Sequence, residues 1–390
     1  MSLSSVFNRG LDGMTVSQRG LAVAANNIAN VNTKGYARQN LIVSPRVSDG
    51  NNLNLGGGAE VLGLDTITNS FVEMQLFSSA NAFGTIDSRK RTMTQLEALF
   101  NENQGQGLST SLNSFFNSFS DLANNPASIP TRMGVRDKAI ALAAKFNSLS
   151  SQLSAMKKDL SSEISTRIDT INSLSSQIAG LNQSIAQAGG AEKAADMVVR
   201  RTYLLRQLSE EVNVSYFQDS SGNVQVQLGS GGTLVNGFDS GTLAVSSDDL
   251  NAGGTLAIGL TFAGSASTSD VTSQVSSGRL GGALLDRNTT INDQLDDLDQ
   301  LAYQLVNQFN TSYAAGYGLD GSTGNNFFTP LGSATGAAGL ISIDASVTGD
   351  VRTIAAAQQA KQYALYVDLE SSFNPMYAKQ CGVDLGQLFL

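Results

Sequence analysis

From about Thr131 to Ala188 the chain carries a single continuous apolar seam. It runs through Phe146, Leu149, Leu153, Met156, Leu160, Ile164, Arg167, Ile171, Leu174, Ile178, Leu181, Ile185 and Ala188. The spacing alternates three and four, apart from two successive fours around Leu160, and the other face is Ser, Gln, Asn and scattered charge. A narrow seam with this period belongs to a helix that packs lengthwise on other helices, and the two fours read as a stutter. At 1.5 Å per residue such a helix spans about 85 Å, too long for a compact globule. Gly189 and Gly190 stop it. The seam therefore predicts a rod of long antiparallel helices.

Helical spacing recurs over residues 68–100, again from Leu108 to Ala123, and from Ala283 to about Ala314. Between the long seam and the last of these the period changes. Val212 to Phe217, a turn at Asp219 to Gly222, and Val224 to Leu228 read as a hairpin, followed by short Gly-punctuated strands. The expected fold class is mainly α with a β-rich insert, the helical rod domain being discontinuous. Residues 1–38 are read as a coiled-coil helix, 39–211 as an extended region and the long-helix rod, and 212–277 as the β-rich insert. Residues 278–315 are the returning helix of the rod, 316–353 a loop and short strand, and 354–390 a tail of different character.

Composition removes whole classes of function. The 390 residues include 24 Lys and Arg against 33 Asp and Glu, a net charge of −9, which argues against a nucleic-acid partner. There is no His and one Cys, Cys381, so His-dependent triads, the commonest zinc ligand and an intrachain disulfide are all excluded. No catalytic, cofactor or metal site is expected. The Glu210-Glu211 and Asp296-Asp297 pairs sit in helical polar text and read as solvated faces, and the Gly316–Leu331 loop lacks the carboxylate spacing of a calcium loop. No run of about 18 apolar residues exists to span a membrane, and the N-terminus lacks the features of a secretory signal.

The N-terminus has a seam of its own, at Leu3, Phe7, Gly10, Met14, Ser17, Leu21, Ala24 and Ile28. Gly10 and Ser17 dilute it, and Gly costs about 1 kcal/mol relative to Ala within a helix. Such a helix is expected to gain most of its order from a partner. Short amide side chains favour a stop near Asn30, and Gly35 permits a left-handed turn.

The run LAVAANNIANVNTKGY, with Asn26, Asn27, Asn30, Thr33, Gly35 and Tyr36 at its core, resembles the N-terminal motif of flagellar axial proteins. Three further stretches resemble the hook-associated branch of that family: the long helix ending near Gly190, LLRQLSEEVNVSYFQDSSGNVQVQLG, and GGALLDRNTTINDQLDDLDQLAYQLVNQFNTSYAAGYGLDGSTGNNFF. The resemblance covers roughly residues 1–355. It implies a self-assembling adaptor at the hook–filament junction, with Leu3, Phe7, Met14, Leu21 and Ile28 as axial packing residues. The implied partners are the hook protein, further hook-associated or filament subunits, other copies in a ring, and a type III export chaperone. Nucleic acid and membrane are not among them. The implied location is the extracellular flagellum, reached without a cleaved signal.

Two departures accompany the resemblance. Met197 to Tyr203 reads MVVRRTY where the family carries a Leu-Asp-x-Arg-Asp type of run, and the chain lacks the second amphipathic helix that ends family members, which implies truncation and puts the export chaperone in doubt. Residues 354–390 instead resemble the strand and helix after the phosphate loop of RecA-type recombinases, with Glu370 at the water-activating position. The phosphate loop itself is missing, since no Gly-Lys pair occurs. The tail is read as foreign, by fusion or by assembly of the sequence. A fragmentary RecA-type ATPase and a secreted or surface-layer-like adhesin on a coiled-coil stalk are the alternative functions.

Overall fold

The computed structural model describes residues 3–46, 57–100, 107–219, 222–251 and 253–355. From residue 356 onward the tail, with Glu370 and Cys381, lies outside the described residues. Along the described chain run α1 (Leu3–Ala29), β1 (Gln39–Pro45), β2 (Ala59–Thr66), α2 (Ser70–Leu99), α3 (Leu108–Asn124), α4 (Ile129–Gln187) and α5 (Ala195–Glu211). Then come β3 (Val214–Gln218), β4 (Val224–Leu228), β5 (Gly232–Asn236), β6 (Asp239–Ser240), β7 (Thr242–Asp248), β8 (Leu256–Thr261) and β9 (Ser269–Asp270). The chain returns to helix in α6 (Gly278–Leu285), a π-turn at Asp286–Thr290, α7 (Ile291–Tyr313), α8 (Ala337–Leu340) and α9 (Ala345–Gly349). The fold is mainly helical with small antiparallel sheets.

Helix α4 is 59 residues long, and its seam is buried at Phe146, Leu149, Leu153, Leu160, Ile164, Ile171, Leu174, Ile178 and Ile185. Four positions differ from the sequence reading. Lys157, Ile168 and Asn182 take the covered places read for Met156, Arg167 and Leu181, and Ala188 lies past the helix end. A lysine on an apolar seam is invisible to a hydrophobicity pattern, yet its stem packs while its amine donates to Asn251 O. Helix α6 starts at Gly278, five residues before the apolar spacing resumes at Ala283. Its glycines are close-packing positions: a Cβ on Gly282 would lie 3.1 Å from Thr85 O on α2.

Two compact units make up the chain. The first comprises Met1–Gln104, Asn147–Leu301 and Ser333–Gly339. Within it β1 and β2 form an antiparallel pair from Gln39↔Thr66 to Pro45↔Ala59, with a bulge between Ile42 and Val43. Four strands order as β3-β4-β5-β6 and three as β7-β8-β9. Val224, Val226, Leu228, Leu234, Leu243 and Ile258 are among their buried side chains. The helix–strand joints are made by asparagines. Asn172 on α4 accepts from Leu243 N at 2.8 Å and donates to Leu243 O at 2.9 Å. Asn182 does the same for Val224, at 3.1 and 2.8 Å, and Asn288 in the π-turn for Leu256, at 2.8 Å both ways. Each amide replaces a missing strand neighbour for one residue, so no main-chain group is left unpaired there.

The second unit comprises Gly105–Phe146, Ala302–Gly332 and Leu340–Leu390. Its centre is aromatic: the Phe115 ring lies 5.2 to 5.7 Å from those of Phe116, Phe119, Phe309, Phe327 and Phe328. Edge-on and tilted approaches of this kind add to the area buried. Asn310 on α7 clasps Phe328 as the other asparagines clasp strands, at 2.9 and 2.8 Å. Arg132 is buried and satisfied by carbonyls of Pro126 and Ile354. Desolvation is the main force holding its pKa below the ordinary arginine value.

Candidate functional site

Helix α1 has two opposed faces. Asp12, Val16, Gly20, Val23, Asn27 and Asn30 form the half-buried one, which rests on β1 and β2. Phe7, Met14, Leu21 and Ile28 lie about half a helical turn away and are 69 %, 61 %, 74 % and 75 % exposed. The side chain of Leu3 lies outside the described residues. The seam read from the sequence is thus turned to solvent, and the chain uses a different face of α1 for itself. The expectation that α1 depends on an outside partner for its order is corrected to that extent: part of its support is its own β1–β2 pair.

The turn after α1 is organised by amides. Asn30 donates to Asn26 O at 3.0 Å and to Asn26 Oδ1 at 2.9 Å, and Thr33 Oγ1 donates to Asn30 Oδ1 at 3.2 Å. Asn27 Oδ1 accepts from the Tyr36 hydroxyl and from Gln39 N, each at 2.9 Å, while its Nδ2 donates to Gln39 O at 2.9 Å. Asn26 Nδ2 reaches the Tyr36 hydroxyl at 3.4 Å. Gly35 has φ +80°, and a Cβ there would come within 2.3 Å of the Tyr203 ring on α5. Only glycine satisfies both the left-handed backbone and that close approach. The structure therefore brings all six motif residues into one turn.

Three supporting residues are absent from the sequence reading. Gln39, 2 % exposed, carries its side chain to Asp196 Oδ1 at 2.6 Å and so ties β1 to α5. Tyr203 backs Gly35, and Asp12 pairs with Arg46 at 3.4 Å. Asp196 and Tyr203 lie more than 150 residues away, beyond any local signal. Burial, and second the Asp196 carboxylate, push the Tyr36 phenol above its ordinary pKa.

Beside the turn lies an open cleft of about 320 Å³, lined among others by Asn26, Asn30, Thr33, Lys34, Arg200 and Tyr203. Among the described residues no group of three or more His, Cys, Asp or Glu is placed to hold a metal. No described helix is long and apolar enough to cross a membrane. The arrangement presents an apolar helix face on a rigid, hydrogen-bonded base, which is geometry for packing against another surface.

Known flagellar proteins resemble this chain in sequence and fold. The family model for the flagellar hook-associated protein FlgK helical domain matches residues 93–328, and that for the flagella basal body rod protein matches residues 7–36. Flagellar hook-associated protein 1 of Salmonella typhimurium (strain LT2) is 29% identical over 334 residues, covering 84% of this chain and 60% of its own length. Its namesake in Bacillus subtilis (strain 168) is 28% identical over 376 residues, covering 86% and 72%. The solved structure of the flagellar hook junction protein FlgK from Burkholderia pseudomallei superposes with a TM-score of 0.60 at 27% identity, over 65% of this chain and 46% of that one. The chain thus spans 60% of the length of the Salmonella relative. With a family model covering more than half of its residues, the chain belongs to the family of the flagellar hook-associated protein FlgK.

Proposed function

We propose that this chain is a structural subunit of the bacterial flagellum, an adaptor at the hook–filament junction that assembles by helix packing. The observation that carries the reading is the outward seam of α1, with Phe7, Met14, Leu21 and Ile28 more than 60 % exposed in a chain of this family. Large apolar side chains aligned along one helix face are unfavourable in water and become favourable when a neighbouring helix covers them. The amide-built turn and the β1–β2 pair fix the direction in which that face points. Hook protein, further hook-associated or filament subunits, and other copies in a ring are the partners under this reading. The extracellular flagellum is the location, and the role is mechanical rather than catalytic.

The test uses the full chain with Phe7→Asp and Leu21→Asp combined, on isolated hooks lacking the junction protein. Docking at hook ends by electron microscopy is expected to be lost while the melting temperature of the soluble chain stays unchanged, because the substituted side chains are exposed. Normal docking of the double variant would overturn the reading.

A further inference from the structure

The cleft beside the α1 turn carries two cations, Lys34 and Arg200, against one carboxylate, Asp196. Lys34 and Arg200 are exposed in its lining, and Arg19 and Arg38 are exposed elsewhere in the N-terminal segment. Among the described residues none of these four forms an ion pair. The carboxylate in the cleft lining, Asp196, accepts a hydrogen bond from the neutral Gln39 amide and keeps its charge, so one positive charge remains in excess there. Residues 1–46 hold five Lys and Arg against one acid, Asp12, in a chain whose net charge is −9.

An opposite surface exists elsewhere in the same unit. Helix α7 contains four Asp and no Lys or Arg. One of them, Asp299, is buried and caps Gly336 and Ala338 at 2.7 and 2.9 Å. The other three, Asp293, Asp296 and Asp297, are exposed and spaced three and four apart, so they share a face and repel one another. Helical backbone continues from α6 through the π-turn into α7, so no free helix N-terminus is there to offset them. Lys157, whose charge reaches Asp296, is bonded to Asn251 O and lies also beside Asp248 and Asp249. None of the three forms an ion pair among the described residues, with Lys34 and Arg200 or with any other cation.

We propose that the cleft between the α1 turn and α5 receives the acidic face of α7 from a second copy of this chain. The occupant is a second copy because the chain itself carries the matching charge, exposed and unspent, in the three-and-four spacing that one helix face presents. Contact between unlike surfaces of identical chains is head-to-tail and propagates around a ring or along a helix. Exposed charge pairs of this kind set which surfaces meet and how fast, and they weaken with salt. The proposal deepens the assembly reading by naming which surfaces of two copies meet. Because it needs no hook, its failure leaves the docking of the α1 seam on hook ends to be decided by its own experiment.

Carbodiimide joins a lysine amine to a carboxylate in direct contact with it, so the test is cross-linking of the full chain at low ionic strength. Nitrogen-15-labelled and unlabelled copies are mixed and the linked peptides are identified by mass spectrometry. The expected product joins Lys34 of one label to Asp293, Asp296 or Asp297 of the other. Raising the salt from about 0.02 to about 0.5 M should lower its yield at least about fivefold. Arg200→Glu should lower it similarly in low salt. Mixing an Arg200→Glu copy with an Asp297→Arg copy should restore the link between Lys34 of the first and α7 of the second. Circular dichroism showing unchanged helix content in each variant separates loss of contact from loss of fold. Absence of the intermolecular Lys34 link, its insensitivity to salt, or linkage of Lys34 to carboxylates outside α7 would overturn the proposal.

Discussion

Asn27 and Gln39 are joined by a closed pair of hydrogen bonds, Gln39 N to Asn27 Oδ1 and Asn27 Nδ2 to Gln39 O, both 2.9 Å. The side chain of a helical residue thereby pairs the main chain of the first residue of a strand. Asn172, Asn182, Asn288 and Asn310 repeat the device on Leu243, Val224, Leu256 and Phe328. Amide clasps thus recur at the joints between helix and extended chain in this protein.

Asn27→Ala removes both partners of Gln39 and the acceptor of the Tyr36 hydroxyl. A half-buried pair left unmade costs about 1–3 kcal/mol, and the loss should stay local to α1 and β1. Hydrogen exchange at the Gln39 amide is expected to accelerate by about 10- to 100-fold, with exchange in α4 unaltered. Unchanged exchange at Gln39 would show that the clasp contributes nothing.

Gly35→Ala meets a left-handed backbone and the Tyr203 ring together. It should destabilise the α1 turn by about 1–3 kcal/mol. Adding Tyr203→Ala frees the space but not the backbone, so the double variant should regain only part of the loss. Limited proteolysis after Lys34, timed for wild type and both variants, distinguishes the two contributions.

Phe115 has no exposed surface and touches five aromatic neighbours. Phe115→Ala should cost the second unit about 3–5 kcal/mol, and Phe115→Leu distinctly less. Urea unfolding followed by tyrosine fluorescence reads both.

Tyr313 titrates far from its ordinary value. Burial raises its pKa from 10.0 to about 12, while its hydroxyl donates to Thr353 O at 3.1 Å and accepts from Ala355 N at 3.0 Å. The folded chain keeps the phenol proton to higher pH than the unfolded chain does. Stability is therefore full below pH 10 and falls as pH rises through 12, by up to about 3 kcal/mol over two units. Tyr313→Phe should flatten that alkaline slope in urea titrations between pH 9 and 12. An unaltered slope would place the alkaline loss elsewhere.

Much of the architecture is written in periodicity. Helix α4 announces itself because Leu149, Leu153, Leu160, Ile164, Ile171 and Ile178 each remove large apolar area at regular spacing. The N-terminal seam was equally visible, although spacing alone does not reveal that Phe7 and Leu21 face solvent while Val16 and Val23 face β1 and β2. Residues whose job is polar and distant left no such trace. Lys157 interrupts a seam, Asn172 and Asn182 look like ordinary polar-face residues, and Asp196 gives no hint of Gln39. Their partners lie between 42 and 157 residues away, so only the folded chain defines them. Gly281 and Gly282 carry no side chain to mark a period, so apolar spacing resumes only at Ala283; a Cβ on Gly281 would lie 2.8 Å from the Ser276 main chain and one on Gly282 3.1 Å from Thr85 O of α2.

The π-turn at Asp286–Thr290 lengthens one helical turn by a residue without interrupting the helix. It therefore acts as a phase shifter. Faces upstream and downstream of it are offset by about 100° from where a single uniform α-helix would put them. Arg287 and Asn288 project at the point of that offset, onto the loop and strand they hold. Deleting one residue here would leave a regular helix of near-identical composition, but it would rotate the whole of α7 relative to α6. The aspartates of α7 and Asn310 would then point away from their present surroundings, so a change of one residue in length outweighs most changes of residue type in this segment.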